Sequence, residues 1–216
     1  MIRERSQKAV EKLTKNDRGG YPVPTSKLYP HQWNWDSAFS ALGISTYNKI
    51  RAWQELILLT KAQWKNGMIP HIIFHENNPN YFPGPNHWQI KSNANTSCHS
   101  QPPVLASIIW DMVNNGNNYD LQKGKSLFNS LIAYHEWFFS ARDPNNEGFI
   151  SIIYPWESGR DNCPDWDLGL HNVNVPDNFG DYIRCDTSHV QISQRPTNKD
   201  YDKFKSIVQY LSLIHI

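Results

Sequence analysis

Apolar residues recur at helical spacing in several blocks of this chain, and this periodicity limits the possible folds more than any other feature. Within each block apolar side chains repeat every three or four residues, which is typical of helices that turn one face to a core. In the longest block, the predicted buried face includes Phe128, Leu131, Ile132 and Phe139. The pattern predicts a mostly α fold with about six helices, at residues 2–13, 36–46, 49–64, 103–115, 121–139 and 201–213.

Long connections rich in Asn and Pro separate the predicted helices. Residues 77–86 contain four Asn and three Pro, a composition that cannot continue a helix or a central strand. This stretch belongs to the connection at residues 75–99, and irregular loops of that length are uncommon inside compact domains and usually have a function. Residues 148–154 are short and apolar, and they predict a strand.

The charge balance excludes two classes of partner. Lys and Arg number 21 against 20 Asp and Glu, so the formal net charge of +1 gives no electrostatic basis for binding nucleic acid or a membrane surface. No apolar run approaches the roughly 18 residues of a membrane span, and the charged start is unlike a signal peptide. Three widely spaced cysteines argue against a disulfide framework. We expect a cytoplasmic protein; the sequence leaves its oligomeric state open.

Aromatic side chains make up 13% of the chain, and many of them lie beside Asn, Gln, His or Asp. Aromatic faces next to hydrogen-bonding groups suit ligands with apolar faces and polar edges, and sugars are the commonest of these. In residues 29–36, Trp33 and Trp35 precede a predicted helix start at Asp36. Asp36 could cap that helix beside two packing Trp residues, or it could accept hydrogen bonds from a sugar lying on them.

The segment 154–167 carries the strongest chemical signal. Four carboxylates fall within eleven of its residues, next to Trp156 and Trp166, and crowding or burial raises the pKa of such an acid. A carboxyl group that stays protonated near neutral pH can act as a general acid. A solvated acidic turn and a calcium site built on the last three carboxylates are the alternatives. The four are Glu157, Asp161, Asp165 and Asp167.

Two further polar residues have more than one interpretation. Gln101 lies at a predicted helix start, where its amide could both donate and accept hydrogen bonds. Arg195 lies on a polar loop, where it could hold a carboxylate through two hydrogen bonds or be an ordinary surface residue.

The histidine and cysteine spacings do not predict a metal site. His71 and His75 are four residues apart, but Pro70 argues against a helix that would align them. Cys185 and His189 have a similar spacing without a second pair of ligands. We therefore predict neither a metal nor a cofactor.

Four of these segments, taken in order, resemble glycoside hydrolase family 63. They are residues 31–36 (HQWNWD), 67–71 (GMIPH), 100–103 (SQPP) and 156–162 (WESGRDN). The chain is most similar to the mannosylglycerate and glucosylglycerate hydrolase branch, and the last segment is also similar to the Glu-Ser-Gly-x-Asp signature of trehalases. The resemblance extends from Tyr29 to Arg195.

The resemblance implies an all-α fold, the (α/α)6 toroid, and hydrolysis of α-glycosidic bonds with inversion. It makes a small carbohydrate the expected substrate and Asp161 the general acid. Arg195 corresponds to an Arg that helps to hold the glycerate carboxylate of the substrate in close relatives. The sugar contacts that the resemblance implies are Tyr29, Trp33, Trp35, Asp36, Gln101, Trp156 and Glu157.

The chain departs from the family pattern directly after the acid. Relatives usually read Asn-Ser-Pro-Arg-Trp-Asp where this chain has Asn162-Cys-Pro-Asp-Trp-Asp167. The loss of an Arg and the gain of Asp165 change the local charge by two units. This change could raise the pKa of Asp161 or alter the specificity.

The helix count predicts about half of a barrel, because a closed (α/α)6 barrel has twelve helices. An inverting enzyme also needs a second carboxylate about 6.5–9.5 Å from the acid. We expect residues 1–216 to be the N-terminal part of one catalytic domain, truncated before the general base Glu, inactive alone and with apolar faces exposed. The alternatives are a trehalase or oligosaccharide α-glucosidase of the same fold, and a non-catalytic sugar-binding fragment.

Overall fold

The computed structural model describes residues 2–79, 81–88, 95–177, 180–184, 186–188 and 190–214. All six predicted helices are confirmed, and a short additional helix precedes the last of them. None of the described helices is long and apolar enough to cross a membrane. The helices are α1 Ile2–Asn16, α2 Asn34–Ser45, α3 Lys49–Lys61, α4 Leu105–Asn114, α5 Asn118–Arg142, α6 Asp167–His171 and α7 Asn198–Ile214.

Helix α5 begins before the apolar pattern does, because a capping box fixes its first turn. The Asn117 side chain accepts a hydrogen bond from Tyr119 N at 2.8 Å, and Asp120 Oδ2 accepts one from Asn117 N at 2.7 Å. Asp120 also accepts hydrogen bonds from Trp53 Nε1 at 2.8 Å and Lys49 Nζ at 2.9 Å. The start of α5 is therefore tied to α3, and such caps stabilise a helix by about 1 kcal/mol.

The predicted buried face of α5 is only partly correct: Leu131 is buried as predicted, but the buried face is rotated by about one residue from the predicted one. Phe128, Ile132 and Phe139 are 59%, 44% and 56% exposed. The packed face instead carries Gly124, where a Cβ atom would lie 2.5 Å from Val113 Cγ2 of α4. This close approach of two helices selects the face, and large apolar residues beside it remain outside. The buried apolar residues of α5 are Leu127, Leu131, Tyr134, Trp137 and Phe138.

Two apolar clusters form the interior. The larger one joins α2, α3, α4 and α5 around Trp53, Leu56 and Tyr134, all 0% exposed. The second joins the loops to α7 around Trp88, Tyr154 and Phe204. Its members come from loops that sequence periodicity cannot describe, and it supports the candidate site.

A ribbon of extended chain lies between the two clusters. Strand β1, Gln32–Trp33, pairs antiparallel with β2, Ile72–Ile73, with Gln32 opposite Ile73 and Trp33 opposite Ile72. On the other side of β2, Ser97 N donates to Ile72 O at 3.1 Å. The predicted strand at residues 148–154 is wrong: these residues form no ladder with any described strand, and Ser151 N donates to the end of α5 at Arg142 O, 2.7 Å away.

Candidate active site

A cavity of about 260 Å³ opens beside the ribbon and the N-terminus of α2. Its size and its mixture of aromatic and polar walls suit a small polar ligand. Eight of the nine site residues that the sequence suggests line this cavity, and Glu157 does not. The eight are Tyr29, Trp33, Trp35, Asp36, Gln101, Trp156, Asp161 and Arg195.

Aromatic rings in edge contact form one wall of the cavity. The ring of Trp33 lies 5.3 Å from that of Tyr29 and 5.4 Å from that of Tyr81, with interplanar angles of 82° and 86°. On another side, Trp156 is nearly parallel to the imidazole of His71 at 6.5 Å. Rings that brace each other edge to face hold a fixed apolar surface for a ligand.

Asp36 does not cap α2 as the sequence suggested. The N-cap position is Trp33, because Asn34 N donates to His71 O of the ribbon at 3.0 Å and the helix starts at once. Asp36 therefore lies in the first helical turn, where the helix dipole favours a negative charge. Burial nevertheless raises the pKa of Asp36 to about 6.

Gln101 is held with a defined orientation of its amide. Its Oε1 accepts a hydrogen bond from Trp35 N at 3.1 Å, so Nε2 carries the hydrogens that can be donated to a ligand. Behind it, the Tyr134 hydroxyl donates to the Gln101 carbonyl at 3.1 Å and lies 2.6 Å from Ser100 Oγ. A buried network thus fixes the residue that joins α4 to the cavity.

Asp161 follows a tight turn that brings its loop against α2. The 3₁₀ turn Pro155–Ser158 ends at Gly159, whose φ is +66°. A Cβ atom at Gly159 would lie 2.5 Å from Trp35 Cη2, so only glycine fits both the backbone conformation and the contact. The chain beyond this contact carries Asp161 to the cavity wall.

Burial, rather than crowding, raises the pKa of Asp161, and the charge of Arg195 opposes the rise. The four carboxylates of its segment do not meet. Asp165 is 76% exposed at its side chain and lies 3.4 Å from Arg160, while Asp167 is also exposed. A half-buried carboxyl group with a raised pKa can donate a proton to a bound ligand.

Glu157 is bound inside the protein instead of lining the cavity. Arg142 Nε and Nη2 donate to its two carboxylate oxygens at 3.0 Å and 2.9 Å. The side chains of this ion pair are 5% and 1% exposed, and Ile153 N also approaches the carboxylate at 3.4 Å. Glu157 therefore ties the turn before Asp161 to the end of α5, and it holds Asp161 only indirectly.

Arg195 lies in a network of charged and phenolic groups. Its Nε donates to Asp186 Oδ2 at 2.9 Å, and its two terminal nitrogens donate to the hydroxyls of Tyr29 and Tyr201, both at 3.3 Å. Burial raises the pKa of Asp186, but hydrogen bonds and charges from Arg184 and Arg195 outweigh it and lower the pKa. Arg195 is therefore held in place and retains its positive charge.

Further residues that the sequence did not predict also line the cavity, among them Tyr81, Phe82, Asp186 and Tyr201. His71, which the sequence analysis interpreted as structural, lines it as well. His71 is 5% exposed, and its Nδ1 has no hydrogen-bond partner among the described residues. Burial keeps the pKa of His71 well below its usual value, with a smaller contribution from His99. A neutral imidazole with a free nitrogen is suited to hydrogen-bond a hydroxyl group. The GMIPH segment was the available signal for it.

The described residues contain no group of three or more His, Cys, Asp or Glu side chains arranged to hold a metal ion. His71 stacks on His99 with ring centroids 4.4 Å apart, whereas His75 contacts Gln32. Cys185 and His189 lie outside the described residues.

A family model described as the mannosylglycerate hydrolase MGH1-like glycoside hydrolase domain matches residues 29–213. The chain belongs to this family. The match begins at Tyr29, which lines the cavity, and ends within α7. All eight predicted residues that line the cavity therefore lie in the MGH1-like domain.

Relatives of this MGH1-like chain have names consistent with the match. It is 45% identical over 206 residues to a mannosylglycerate hydrolase of Thermus thermophilus, covering 93% of this chain and 49% of that one. It is 34% identical over 226 residues to a glucosylglycerate hydrolase of Mycolicibacterium hassiacum, covering 96% and 50%. The chain thus spans about half the length of these relatives.

A solved structure about twice as long as this chain shares its fold. A glycoside hydrolase family 63 mannosylglycerate hydrolase from Thermus thermophilus, in complex with Tris and D-glycerate, matches with a TM-score of 0.91 at 42% identity. The match covers 97% of this chain and 50% of that one. The chain therefore has the mostly helical fold of one half of that enzyme.

Proposed function

We propose that residues 1–216 form the N-terminal half of the catalytic domain of an inverting α-glycoside hydrolase, an (α/α)6 toroid. The substrate is a small glycoside such as mannosylglycerate or glucosylglycerate. The observation that carries the proposal is that one cavity joins Asp161, an aromatic wall and the Arg195 network. Membership of the MGH1-like family and the names of the relatives support the same class of reaction.

Asp161 is the general acid in this proposal. It donates its proton to the glycosidic oxygen as the bond to the anomeric carbon breaks, so that the leaving alcohol departs neutral. The raised pKa of Asp161 supports this role, since the carboxyl group then keeps its proton to a higher pH. Asp36 and Gln101 hold hydroxyl groups of the sugar, and Trp33 and Trp156 contact its apolar faces.

The general base comes from outside this chain. Inversion requires a carboxylate about 6.5–9.5 Å from the acid, with a water molecule between it and the anomeric carbon. We assign that role to a Glu in the part of the native-length protein that corresponds to the half of the relatives not covered here. The chain alone is then expected to bind ligand without hydrolysing it.

Arg195 binds the carboxylate of the glycerate group. A guanidinium has five N–H donors in a planar fork, and the contacts with Asp186, Tyr29 and Tyr201 engage three of them. The remaining donors suit a carboxylate. The matched structure containing D-glycerate supports an anionic aglycone in this family.

The family match favours glycerate-linked substrates over those of a trehalase or an oligosaccharide α-glucosidase. We also propose a cytoplasmic location, since three widely spaced cysteines argue against a disulfide framework.

The test is hydrolysis by the native-length protein, followed by proton NMR on a panel of glucosylglycerate, mannosylglycerate and trehalose. We expect cleavage of a glycerate-linked substrate with the β-anomer of the sugar appearing first. An α-anomer as first product contradicts inversion, and cleavage of trehalose alone contradicts the substrate class. Tight binding without any cleavage would make the protein a sugar-binding module.

A further inference from the structure

A line of polar side chains, buried at its centre, runs behind strand β1, on the side away from the cavity. His75 Nε2 lies 2.7 Å from Gln32 Oε1, and Gln32 Nε2 donates to Glu55 Oε1 of α3. Arg51 donates to the other oxygen of Glu55 at 3.3 Å and 3.2 Å, and to Asp17 at 2.8 Å and 3.0 Å. The line joins α3 to the ribbon and to the segment after α1.

When Glu55 is ionised, the polarity of each hydrogen bond in this line is determined. Glu55 receives donors from Arg51 on one oxygen and from Gln32 on the other. The amide of Gln32 must therefore present Nε2 to Glu55 and Oε1 to His75. It follows that His75 carries its hydrogen on Nε2. Both ends of the Gln32 side chain are thus fixed by partners on different elements.

Burying the polar side chains at the centre of this line costs free energy. Gln32 and Glu55 are both 0% exposed, and burying an amide and a carboxylate is unfavourable unless all their hydrogen bonds are made. Apolar residues of similar size would fill the same space. Hydrogen-bonded polar pairs, unlike apolar contacts, hold the two side chains in one relative geometry.

The geometry that they fix is that of the cavity wall. Gln32 and Trp33 are consecutive residues of β1, and successive side chains of a strand point to opposite faces. With Gln32 held behind the strand, Trp33 is directed to the cavity, where it contacts Tyr29 and Tyr81 edge to face. A rotation or slip of β1 would move this ring.

We propose that Gln32 and Glu55 are positioning residues, which hold β1 so that Trp33 presents a fixed surface to the ligand. They touch no ligand themselves. The expected effect on affinity rests on the proposed function, because it requires that the cavity binds a sugar. The inference about Trp33 itself depends on the structure alone.

The test exchanges the two side chains. In Gln32→Glu, two carboxylates face each other. In Glu55→Gln, the hydrogen bonds are kept only if the Gln32 amide turns over and His75 moves its hydrogen to Nδ1. In the double variant Gln32→Glu/Glu55→Gln, the carboxylate now at position 32 accepts from His75 and from the amide nitrogen now at position 55, whose oxygen accepts from Arg51. The double variant therefore restores every hydrogen bond without changing the net charge.

Two readouts follow Trp33 and the ligand. The indole N–H resonance of Trp33, assigned by its loss in Trp33→Phe, reports the ring position. Titration calorimetry with glucosylglycerate reports affinity. We expect Gln32→Glu to shift the resonance and weaken binding about 10-fold to 100-fold, since small misplacements at a site have effects of this size. We expect a smaller effect of Glu55→Gln, because its amides can re-form the hydrogen bonds. We expect the double variant to recover both.

Leu59→Ala is the matched control for general loss of stability. Leu59 is 0% exposed and lies one turn after Glu55 on α3, in the larger apolar cluster. All variants are compared below their melting transitions, and the control should keep the resonance of Trp33 and the affinity of the wild type.

The outcomes separate the two proposals. An unshifted Trp33 resonance in Gln32→Glu, or a double variant no closer to wild type than Gln32→Glu, overturns the positioning role. Equal losses in Leu59→Ala also overturn it. If the wild type does not bind the sugar, the proposed function fails, while the resonance still decides whether the pair positions Trp33.

Discussion

Asp36 and Asp161 line one cavity, but their surroundings differ. Asp36 lies in the first turn of α2, and burial raises its pKa to about 6. Burial also raises the pKa of Asp161, where the charge of Arg195 opposes it. Pairs of acids in unlike surroundings are how enzymes divide roles between chemically identical groups.

The affinity of the chain for glucosylglycerate should increase with pH as Asp36 ionises. The pKa of Asp36 is raised, so it is protonated below about pH 6 and charged above it, and the charged form accepts stronger hydrogen bonds from sugar hydroxyls. Titration calorimetry between pH 5 and pH 8 checks this. Asp36→Asn should bind more weakly and lose the step near pH 6, and Asp165→Asn should keep it. A step that persists in Asp36→Asn contradicts the assignment.

Gly159→Ala should reduce both stability and ligand affinity. An added Cβ would lie 2.5 Å from the Trp35 ring, at a φ of +66° that other residues rarely adopt. We expect a loss of about 1–3 kcal/mol in the free energy of unfolding. Gly148→Ala is the control, since its φ is +78° with no atom within 4 Å of the new Cβ. Urea denaturation should show a larger loss for Gly159→Ala, and equal losses would contradict the Trp35 contact.

At the scale of elements, the turn Pro155–Ser158 depends on its link to α5 through Glu157 and Arg142. Arg142 also lies over the Trp137 ring, 4.5 Å from its centroid. The ion pair and this ring contact connect the segment that carries Asp161 to the longest helix. The sugar-contact role that the resemblance implied for Glu157 does not agree with this placement.

Replacing Arg142 alone should lower the free energy of unfolding more than replacing both Arg142 and Glu157. Arg142→Met leaves the Glu157 carboxylate buried without its cation, which typically costs about 3–5 kcal/mol. Arg142→Met/Glu157→Leu removes both charges and should cost less than the single variant. Chemical denaturation of wild type, single and double variants measures the coupling. Additive losses would contradict a paired role.

The sequence was sufficient to predict six of the seven described α-helices, but not the elements that shape the cavity. Helical periodicity and caps are local signals, and they placed α1 to α5 and α7. Strands of two residues, such as β1 and β2, leave no periodic signal. The burial face of α5 depends on the approach of α4 at Gly124, which is a tertiary contact.

The candidate site was predicted as a set of residues, and its contacts were not. Six of the eight predicted residues that line the cavity lie in three of the four ordered motifs, and Tyr29 and Arg195 lie outside the motifs. The link between Arg195 and Asp186 and the link between Glu157 and Arg142 join segments nine and fifteen residues apart, and neither has a spacing rule. The crowding expected among the four acids was absent because the turn directs them apart.

At the scale of the molecule, the described surface carries large apolar side chains, among them Phe128, Ile132 and Phe139 of α5. The chain also spans about half the length of its relatives. Exposed apolar side chains in such numbers favour association with other surfaces.

This surface predicts self-association of the chain in solution. Sedimentation velocity at increasing protein concentration should show species larger than the monomer. Phe128→Lys/Ile132→Lys should shift the distribution towards the monomer, because it replaces exposed apolar groups with charges. Asn129→Lys is the control, since it adds a charge at an exposed polar site of the same helix. A monomer at all concentrations contradicts the prediction.

The general-acid role of Asp161 is the central claim, and leaving groups of different basicity test it most directly. The measurement is the rate at which the native-length protein and its Asp161→Asn variant hydrolyse the glycerate-linked substrate and the corresponding α-glycosyl fluoride. Fluoride departs with little help from an acid, so the variant should lose about 10²-fold to 10⁴-fold on the glycerate substrate and far less on the fluoride. Asp165→Asn should retain both rates. A wild-type rate on the glycerate substrate in Asp161→Asn, or equal losses on both substrates, would contradict the role.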